Sequence, residues 1–427
     1  MSRPATLPGW LAYLETLHPK PIALGLDRVR AVRARMDAAI ACPVVTVAGT
    51  NGKGSTCALV ESTLRCAGYR TGLYTSPHLV RYHERVRIAG READDDALLA
   101  AFDAVEYARV AGEGGPVPLT YFEFGTLAAL WLFARASLDA LVLEVGLGGR
   151  LDAVNVVDPD VAVVTSVAID HVDYLGATRE DIGREKAGIY RPHRPAVCAD
   201  PDPPASLLAA ADAAGAHLVR IGREYGYVAE GTQWRYRGPR GERFGLPHPA
   251  LRGAYQLANA ATALVVLDLL HPRLPVPAGA VRDGLVTVAL PGRFQVLPGR
   301  PATVLDVAHN PQAAQALAAT LPDMGFFPTT IAVLGMLADK DVDGVIAPLR
   351  ARIDRWHVAT LPGPRGAPAA RLVGALAAAG VAAAAIRAFD DVAGALAAAR
   401  DAAGEADRIV VFGSFLTVAA ALSAPAR

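Results

Sequence analysis

Residues 43–56 read Pro-Val-Val-Thr-Val-Ala-Gly-Thr-Asn-Gly-Lys-Gly-Ser-Thr. A β-branched apolar run feeds a glycine-rich turn and then helix-forming residues, the order a phosphate site requires. Gly49, Gly52 and Gly54 let backbone N–H groups converge on an anion, and the helix N-terminus adds its partial positive charge. Lys53 supplies a mobile cation for terminal phosphates, and the Ser55 hydroxyl is in reach of a phosphate or a magnesium shell. The spacing departs from G-x-x-x-x-G-K-[ST], because Gly54 separates Lys53 from Ser55. The residues therefore indicate a nucleotide site and leave its subtype open, against the plainer alternative of an ordinary Gly-rich strand-to-helix turn.

The same grammar repeats outward from this stretch. Strands are expected at Val44 to Ala48, Gly72 to Thr75, Ala140 to Glu144, Val161 to Ser166 and Pro195 to Cys198, with helices at Ser55 to Cys66 and Tyr121 to Ala136, the latter opened by a Thr120/Glu123 capping box. Alternation of this kind predicts a mostly parallel α/β sheet. Between Ile221 and Leu251 short polar and aromatic alternation predicts a small antiparallel insertion, followed by a helix from about Tyr255 to Leu270. Pro291, Gly292, Pro298 and Gly299 mark a boundary. Beyond it, strands are expected at Thr303 to Asp306, Ile331 to Leu334, Trp356 to Ala359 and Ile409 to Phe412, separated by Ala-rich helices near Ala375 to Ala385 and Ala393 to Ala403. The expected division is 1–293, a hinge at 294–300, and a smaller Rossmann-like α/β domain at 301–427.

A chain of 427 residues exceeds what one core usually serves, which agrees with two domains. Lys plus Arg equals Asp plus Glu at 42 each, so no net field draws it to nucleic acid or an anionic membrane. Four scattered cysteines, Cys42, Cys57, Cys66 and Cys198, have no metal-type spacing and fit a reducing compartment. Met1 to Trp10 lacks the pattern of a secretory signal, and apolar runs such as Leu127 to Ala134 stop short of a bilayer span. A cytoplasmic protein is expected.

Other chemistry-bearing residues fall at strand ends, where open α/β sheets bind ligands. Ser76, Glu144 and His171 form an oxygen- and imidazole-rich group suited to a hard divalent cation. Singly, Ser76 and His171 are as readily read as caps. Glu144 ends the apolar run Leu141 to Leu143, where an unpartnered carboxylate is costly. Lys186 by composition reads as a solvated helix lysine. Asp306, His309 and Asn310 follow another strand, with an Asx turn before Pro311 as the simpler reading.

At these residues the chain resembles the dihydrofolate synthase/folylpolyglutamate synthase family of the Mur-ligase superfamily. The matching stretches run from Gly-Leu-Asp-Arg-Val at 25–29 through Ser-Pro-His-Leu-Val-Arg-Tyr-His-Glu-Arg at 76–85, Thr-Tyr-Phe-Glu-Phe-Gly-Thr at 120–126, Leu-Glu-Val-Gly-Leu-Gly-Gly-Arg-Leu-Asp-Ala at 143–153 and Gly-Arg-Glu-Lys-Ala-Gly-Ile at 183–189. They continue with Leu-Pro-Gly-Arg-Phe at 290–294, Asp-Val-Ala-His-Asn-Pro at 306–311 and Gly-Ser-Phe at 413–415. The resemblance implies a P-loop ATPase domain that binds ATP through Thr50, Asn51, Gly52, Lys53, Gly54 and Ser55, with Asn259, Arg293 and Asp306 completing the nucleotide contacts. It implies Ser76, Glu144 and His171 as magnesium ligands, and Lys186 as a carbamate that ligates a second magnesium ion. A pterin substrate is implied against Pro21, Ile22, Ala23, Leu24, Thr120, Tyr121, Phe122, Glu123, Leu151, Asp152 and Ala153, with Ala23 departing from the acidic residue many relatives carry. His309 is the candidate for shaping the acyl-phosphate and glutamate region. The implied cofactors are ATP and two Mg2+ ions, with a monovalent cation left open. The implied partners are dihydropteroate, reduced folates and L-glutamate, acting on a monomer. Alternatives are a monofunctional folylpolyglutamate synthase, another Mur-type amide ligase, a nucleotide-binding regulatory protein or a phosphotransferase.

Overall fold

The computed structural model describes residues 3–112 and 115–424, which form two compact units. Of these described residues, the first unit takes those up to 77, those within 82–249 and 257–288, and the second takes 78–81, 250–256 and those from 289 onward. Among the described residues no helix is long and apolar enough to cross a membrane.

The first unit is built on eight strands: β1 (Val44–Ala48), β2 (Thr71–Tyr74), β3 (Val86–Ile88), β4 (Arg91–Glu92), β5 (Ala140–Glu144), β6 (Val161–Val164), β7 (Pro195–Cys198) and β8 (His217–Arg220). Their order is β4-β3-β2-β5-β1-β6-β7-β8, parallel except for β3 and β4. Every residue of β1, β5 and β6 is buried, which is why these strands read as unbroken apolar runs rather than as alternation. The chain leaves β1 toward β2, returns to β5 and then crosses to β6, so the turns after β2, β5, β1 and β6 lie side by side at one carboxyl edge. Helix Lys53–Cys66 packs on β1, β2 and β5. Helix Ala278–Thr287 lies against it so closely that a Cβ on Gly284 would stand 2.5 Å from the Cα of Thr63.

The expected insertion is a three-stranded antiparallel sheet, β9 (Gly226–Glu230), β10 (Gln233–Gly238) and β11 (Gly241–Pro247). Tyr236 donates its hydroxyl to the buried Asp268 carboxylate at 2.8 Å, anchoring the insertion to helix Tyr255–Leu270.

The second unit has six strands, β12 (Gln295–Leu297), β13 (Ala302–Leu305), β14 (Thr330–Leu334), β15 (Arg355–Ala359), β16 (Ile386–Phe389) and β17 (Arg408–Phe412), in the order β12-β13-β17-β14-β15-β16. Successive side chains enter opposite cores. Val304, Ala332, Leu334, Val410 and Phe412 fill one face, and Leu305, Ile331, Val333, Ile409 and Val411 the other.

Three details differ from the sequence expectations. The segment 294–300, read as a hinge, carries β12, which pairs antiparallel with β13, and buried Phe294 joins the core of the second unit. The Ala-rich helix expected over 375–385 ends at Ala378, because Gly380 sits at φ +81° and closes a Schellman motif, with Val381 N–H donating to Leu376 O and Gly380 N–H to Ala377 O. The run read as a strand to Ser166 leaves the sheet after Val164, and its last residues serve the site instead.

Candidate functional site

The turn after β1 is held by the turn after β6 through a set of short-range bonds. Thr50 N–H donates to Ser166 O at 2.8 Å, and the Thr50 hydroxyl donates to Ala168 O at 3.1 Å while accepting from Ala168 N–H at 3.0 Å. Asn51 N–H donates to Ser166 Oγ at 3.0 Å, and Asn51 O accepts from the hydroxyls of Thr165 at 2.7 Å and Ser166 at 3.1 Å. Both flanking glycines are obligatory. A Cβ on Gly49, at φ +152°, would lie 1.8 Å from Thr165 Oγ1, and one on Gly52, at φ +87°, would lie 2.7 Å from Asn259 Oδ1. Gly52 is the N-cap of helix Lys53–Cys66, which opens toward the same edge. Lys53 Nζ folds back onto the carbonyls of Gly49 at 3.0 Å and Thr50 at 3.2 Å, which holds its charge at the turn. Ser55 is buried in the first turn of that helix.

Glu144, at the end of β5, is only 5% exposed, and Ser76 N–H donates to it at 3.1 Å, joining the turns after β2 and β5. His171 adopts φ +53° at the N-cap of a short helix, its N–H donating to Asp170 Oδ1 at 2.8 Å. Lys186 is not the solvated lysine its composition suggests, being 3% exposed near the end of helix Arg179–Ala187. Burial pushes its amine down to about 7 and the Lys53 charge acts in the same direction, against Asp170 and Asp152. Among the described residues no three His, Cys, Asp or Glu side chains cluster as a metal site by themselves.

Beside this edge lie the residues expected to meet the pterin. Phe122 packs on Gly146, where a Cβ would come within 2.6 Å of its ring, and tilts against Tyr74 at 6.1 Å. Tyr121 meets Tyr82 edge-on at 6.0 Å, with Arg85 over the Tyr121 ring at 5.5 Å. Thr120 and Glu123 are buried in the capping box of helix Tyr121–Arg135. Glu123 is also paired to Arg28 at 2.8 Å, and Arg28 donates to Ala23 O. Arg28, which the sequence reading left without a role, thereby ties segment 21–24 to the start of that helix. Gly25 N–H reaches Leu151 O at 3.3 Å, bringing the same segment to residues 151–153. Asp152 is buried, accepts from Leu147 N–H at 2.8 Å and Val154 N–H at 3.1 Å, and caps the turn Ala153–Val156. Burial pushes its carboxyl up to about 7, opposed by those N–H bonds.

In the second unit, Asp306 is buried and accepts from Phe294 and Ala308 N–H, each at 2.8 Å, which fixes the backbone beside Arg293 and His309. Burial raises its carboxyl above the usual range. The Arg293 guanidinium stacks on Phe415 at 5.0 Å, and the His309 ring lies 6.2 Å from the same side chain. Asn310 caps helix Pro311–Thr320 through Ala313 N–H at 3.0 Å, as an Asx turn before Pro311 requires. Thr165, Ser166 and Ala168 were not singled out from sequence. The signal for them was the polar pair that ends the β6 apolar run.

A phosphate-type turn at the switch point of a parallel sheet, next to a buried carboxylate, in a chain that carries a second α/β unit, fits a nucleotide-dependent ligase of the Mur type. Residues 47–267 match the Mur ligase middle domain, and residues 292–415 match the Mur ligase glutamate ligase domain. Over 97% of its length the chain is 48% identical to the dihydrofolate synthase/folylpolyglutamate synthase of Escherichia coli, of which it covers 94%. The protein of that name from Haemophilus influenzae is 41% identical over 96% of the chain and 95% of its own length. The solved structure of E. coli FolC in complex with DHPP and ADP matches with a TM-score of 0.91 at 47% identity, covering 98% of this chain and 97% of that one. A bifunctional folylpolyglutamate synthase/dihydrofolate synthase with Mn, AMPPNP and L-glutamate bound matches with a TM-score of 0.89 at 46% identity, covering 98% of each chain. The chain belongs to the dihydrofolate synthase/folylpolyglutamate synthase family.

Proposed function

We propose that this chain uses ATP to join L-glutamate to dihydropteroate, forming dihydrofolate, and to the γ-carboxylate of reduced folates. The observation that carries the reading is the turn at Gly49–Ser55, pinned by Thr165, Ser166 and Ala168 at the sheet edge that also holds Glu144. A carboxylate resists an amine because its leaving group would be oxide. Transfer of the γ-phosphoryl group to a carboxylate oxygen releases ADP and gives an acyl phosphate. The glutamate α-amine, having lost its proton, then attacks the carbonyl carbon and expels inorganic phosphate carrying that oxygen.

Thr50, Asn51, Gly52 and Gly54 present backbone to the phosphates, and Lys53 exchanges its carbonyl partners for phosphate oxygens. Asn259, beside Gly52, and Arg293 and Asp306 in the second unit are assigned nucleotide contacts, and His309 is assigned to the glutamate step. The donor set suits a hard divalent cation: the buried Glu144 carboxylate, the Ser76 hydroxyl and His171. Lys186 fits a carbamate, since only an uncharged amine adds CO2 and its burial favours that form. Bound there, Mg2+ supplies charge neutralisation for the phosphates. Segment 21–24, Tyr121, Phe122 and Leu151 to Ala153 form the pterin contact, with Arg28, Glu123 and Asp152 shaping it from beneath. Released phosphate that requires both a pterin acceptor and L-glutamate is the expected result. ATP turnover indifferent to both substrates would overturn the reading, and comparing dihydropteroate with a reduced folate separates one activity from two.

A further inference from the structure

The turn after β6 grips the nucleotide turn, and something must hold the gripping turn in place. Both backbone groups of Val167, in the middle of it, are taken by one ion pair. Val167 N–H donates to Asp200 Oδ2 at 2.7 Å, and Val167 O accepts from Arg179 Nε at 2.9 Å. Arg179 Nη2 lies 3.4 Å from Asp200 Oδ2 and donates to Asp202 O at 2.6 Å, and Nη1 reaches Asp202 Oδ2 at 3.3 Å. Asp200 is 4% exposed and also accepts from Asp202 N–H at 2.9 Å. The guanidinium fork thus spans four acceptor atoms on three residues in a fixed plane, a task a lysine cannot repeat. On either side of Val167 stand the groups that bond to Thr50 and Asn51, namely Thr165, Ser166 and Ala168. Arg179 is also the first residue of the helix that carries Lys186, so one side chain links that helix to the nucleotide turn.

We infer that Arg179 and Asp200 are positioning residues for nucleotide binding, acting through Val167 to hold the turn at 165–168 in register with Thr50 and Asn51. The inference rests on the reading of Gly49–Ser55 as the ATP site. Arg179 is 38% exposed at its side chain but Asp200 only 4%, so a melting curve of each variant accompanies its binding measurement and separates a lost fold from a lost clamp.

The test measures ADP affinity by titration calorimetry and steady-state constants for wild type, Arg179→Ala, Arg179→Lys, Asp200→Asn and Lys53→Ala. Loss of the clamp raises KM for ATP and the ADP Kd roughly tenfold in both Arg179 variants, as expected for losing hydrogen bonds from a charged group, with KM for dihydropteroate and glutamate unchanged. In a Thr50→Val background, which already lacks the two hydroxyl bonds to Ala168, Arg179→Ala should weaken ADP binding less than it does in wild type. A purely structural role would carry its full effect into that background or spread it over all three KM values, and either result overturns the inference. Wild-type ADP affinity in Arg179→Ala, with binding lost in Lys53→Ala, overturns it while sparing the ATP site. No ADP binding by wild type would instead remove the ATP-site reading itself.

Discussion

Lys186 offers the sharpest quantitative prediction, because its burial changes the chemistry it can do. An exposed lysine with a pKa near 10.5 is uncharged to only about 0.3% at pH 8, whereas an amine brought down to about 7 is uncharged to roughly 90%. The reactive form is therefore enriched about 300-fold at this side chain over surface lysines. Protein equilibrated with 13C-labelled bicarbonate should give a carbamate carbon resonance that grows as pH rises through about 7 and is absent from Lys186→Ala. Lys53→Ala removes a cationic neighbour and should move the midpoint upward. Short carboxylic acids should restore part of the ligase activity of Lys186→Ala by replacing the lost anionic oxygens. A labelled signal that persists in Lys186→Ala, or a midpoint in the range of a solvated lysine, would refute the reasoning.

Gly49→Ala should cost roughly 2–4 kcal/mol, read by urea unfolding, because its Cβ would collide with Thr165 Oγ1 in a backbone region closed to most side chains. Asp152 is held up at about 7 in the folded state and is near its ordinary value when unfolded. Its contribution to stability is thus present below pH 4 and is lost as pH rises to 7, up to about 4 kcal/mol for a shift of this size. Unfolding curves of the ligand-free protein at pH 5 and pH 8 should show this fall in wild type and a smaller one in Asp152→Asn. Arg28→Ala should destabilise by about 2–4 kcal/mol by leaving the Glu123 carboxylate buried without its cation. It should also raise KM for the pterin acceptor, since segment 21–24 loses its tie to helix Tyr121–Arg135. Lys53→Ala should abolish ligation while its circular dichroism and melting curve stay near wild type.

What could be read from sequence followed the strength of local signals. Buried parallel strands such as Val44–Ala48 and Ala140–Glu144 announced themselves as short apolar runs ending at polar turns, and their bounds match the structure. Gln295–Leu297 and Ile386–Phe389 were not foreseen, because each is a short edge strand with partly exposed side chains and no apolar run. The end of the helix at Ala378 was legible in Gly380, yet alanine propensity on both sides masked it. At the site, Lys53 and Glu144 stood out by their place after strands. The roles of Arg28, Arg179 and Asp200 depend on partners 95, 12 and 33 positions away, a distance that no local pattern spans.

The central claim is that a bound carboxylate becomes an acyl phosphate before the amine attacks. The most direct measurement supplies dihydropteroate with 18O in its carboxylate, together with ATP, Mg2+ and L-glutamate, and reads the isotope in the released phosphate by mass spectrometry. Transfer through an acyl phosphate places one 18O atom in each phosphate formed. Phosphate free of label, with amide still accumulating, would contradict the account.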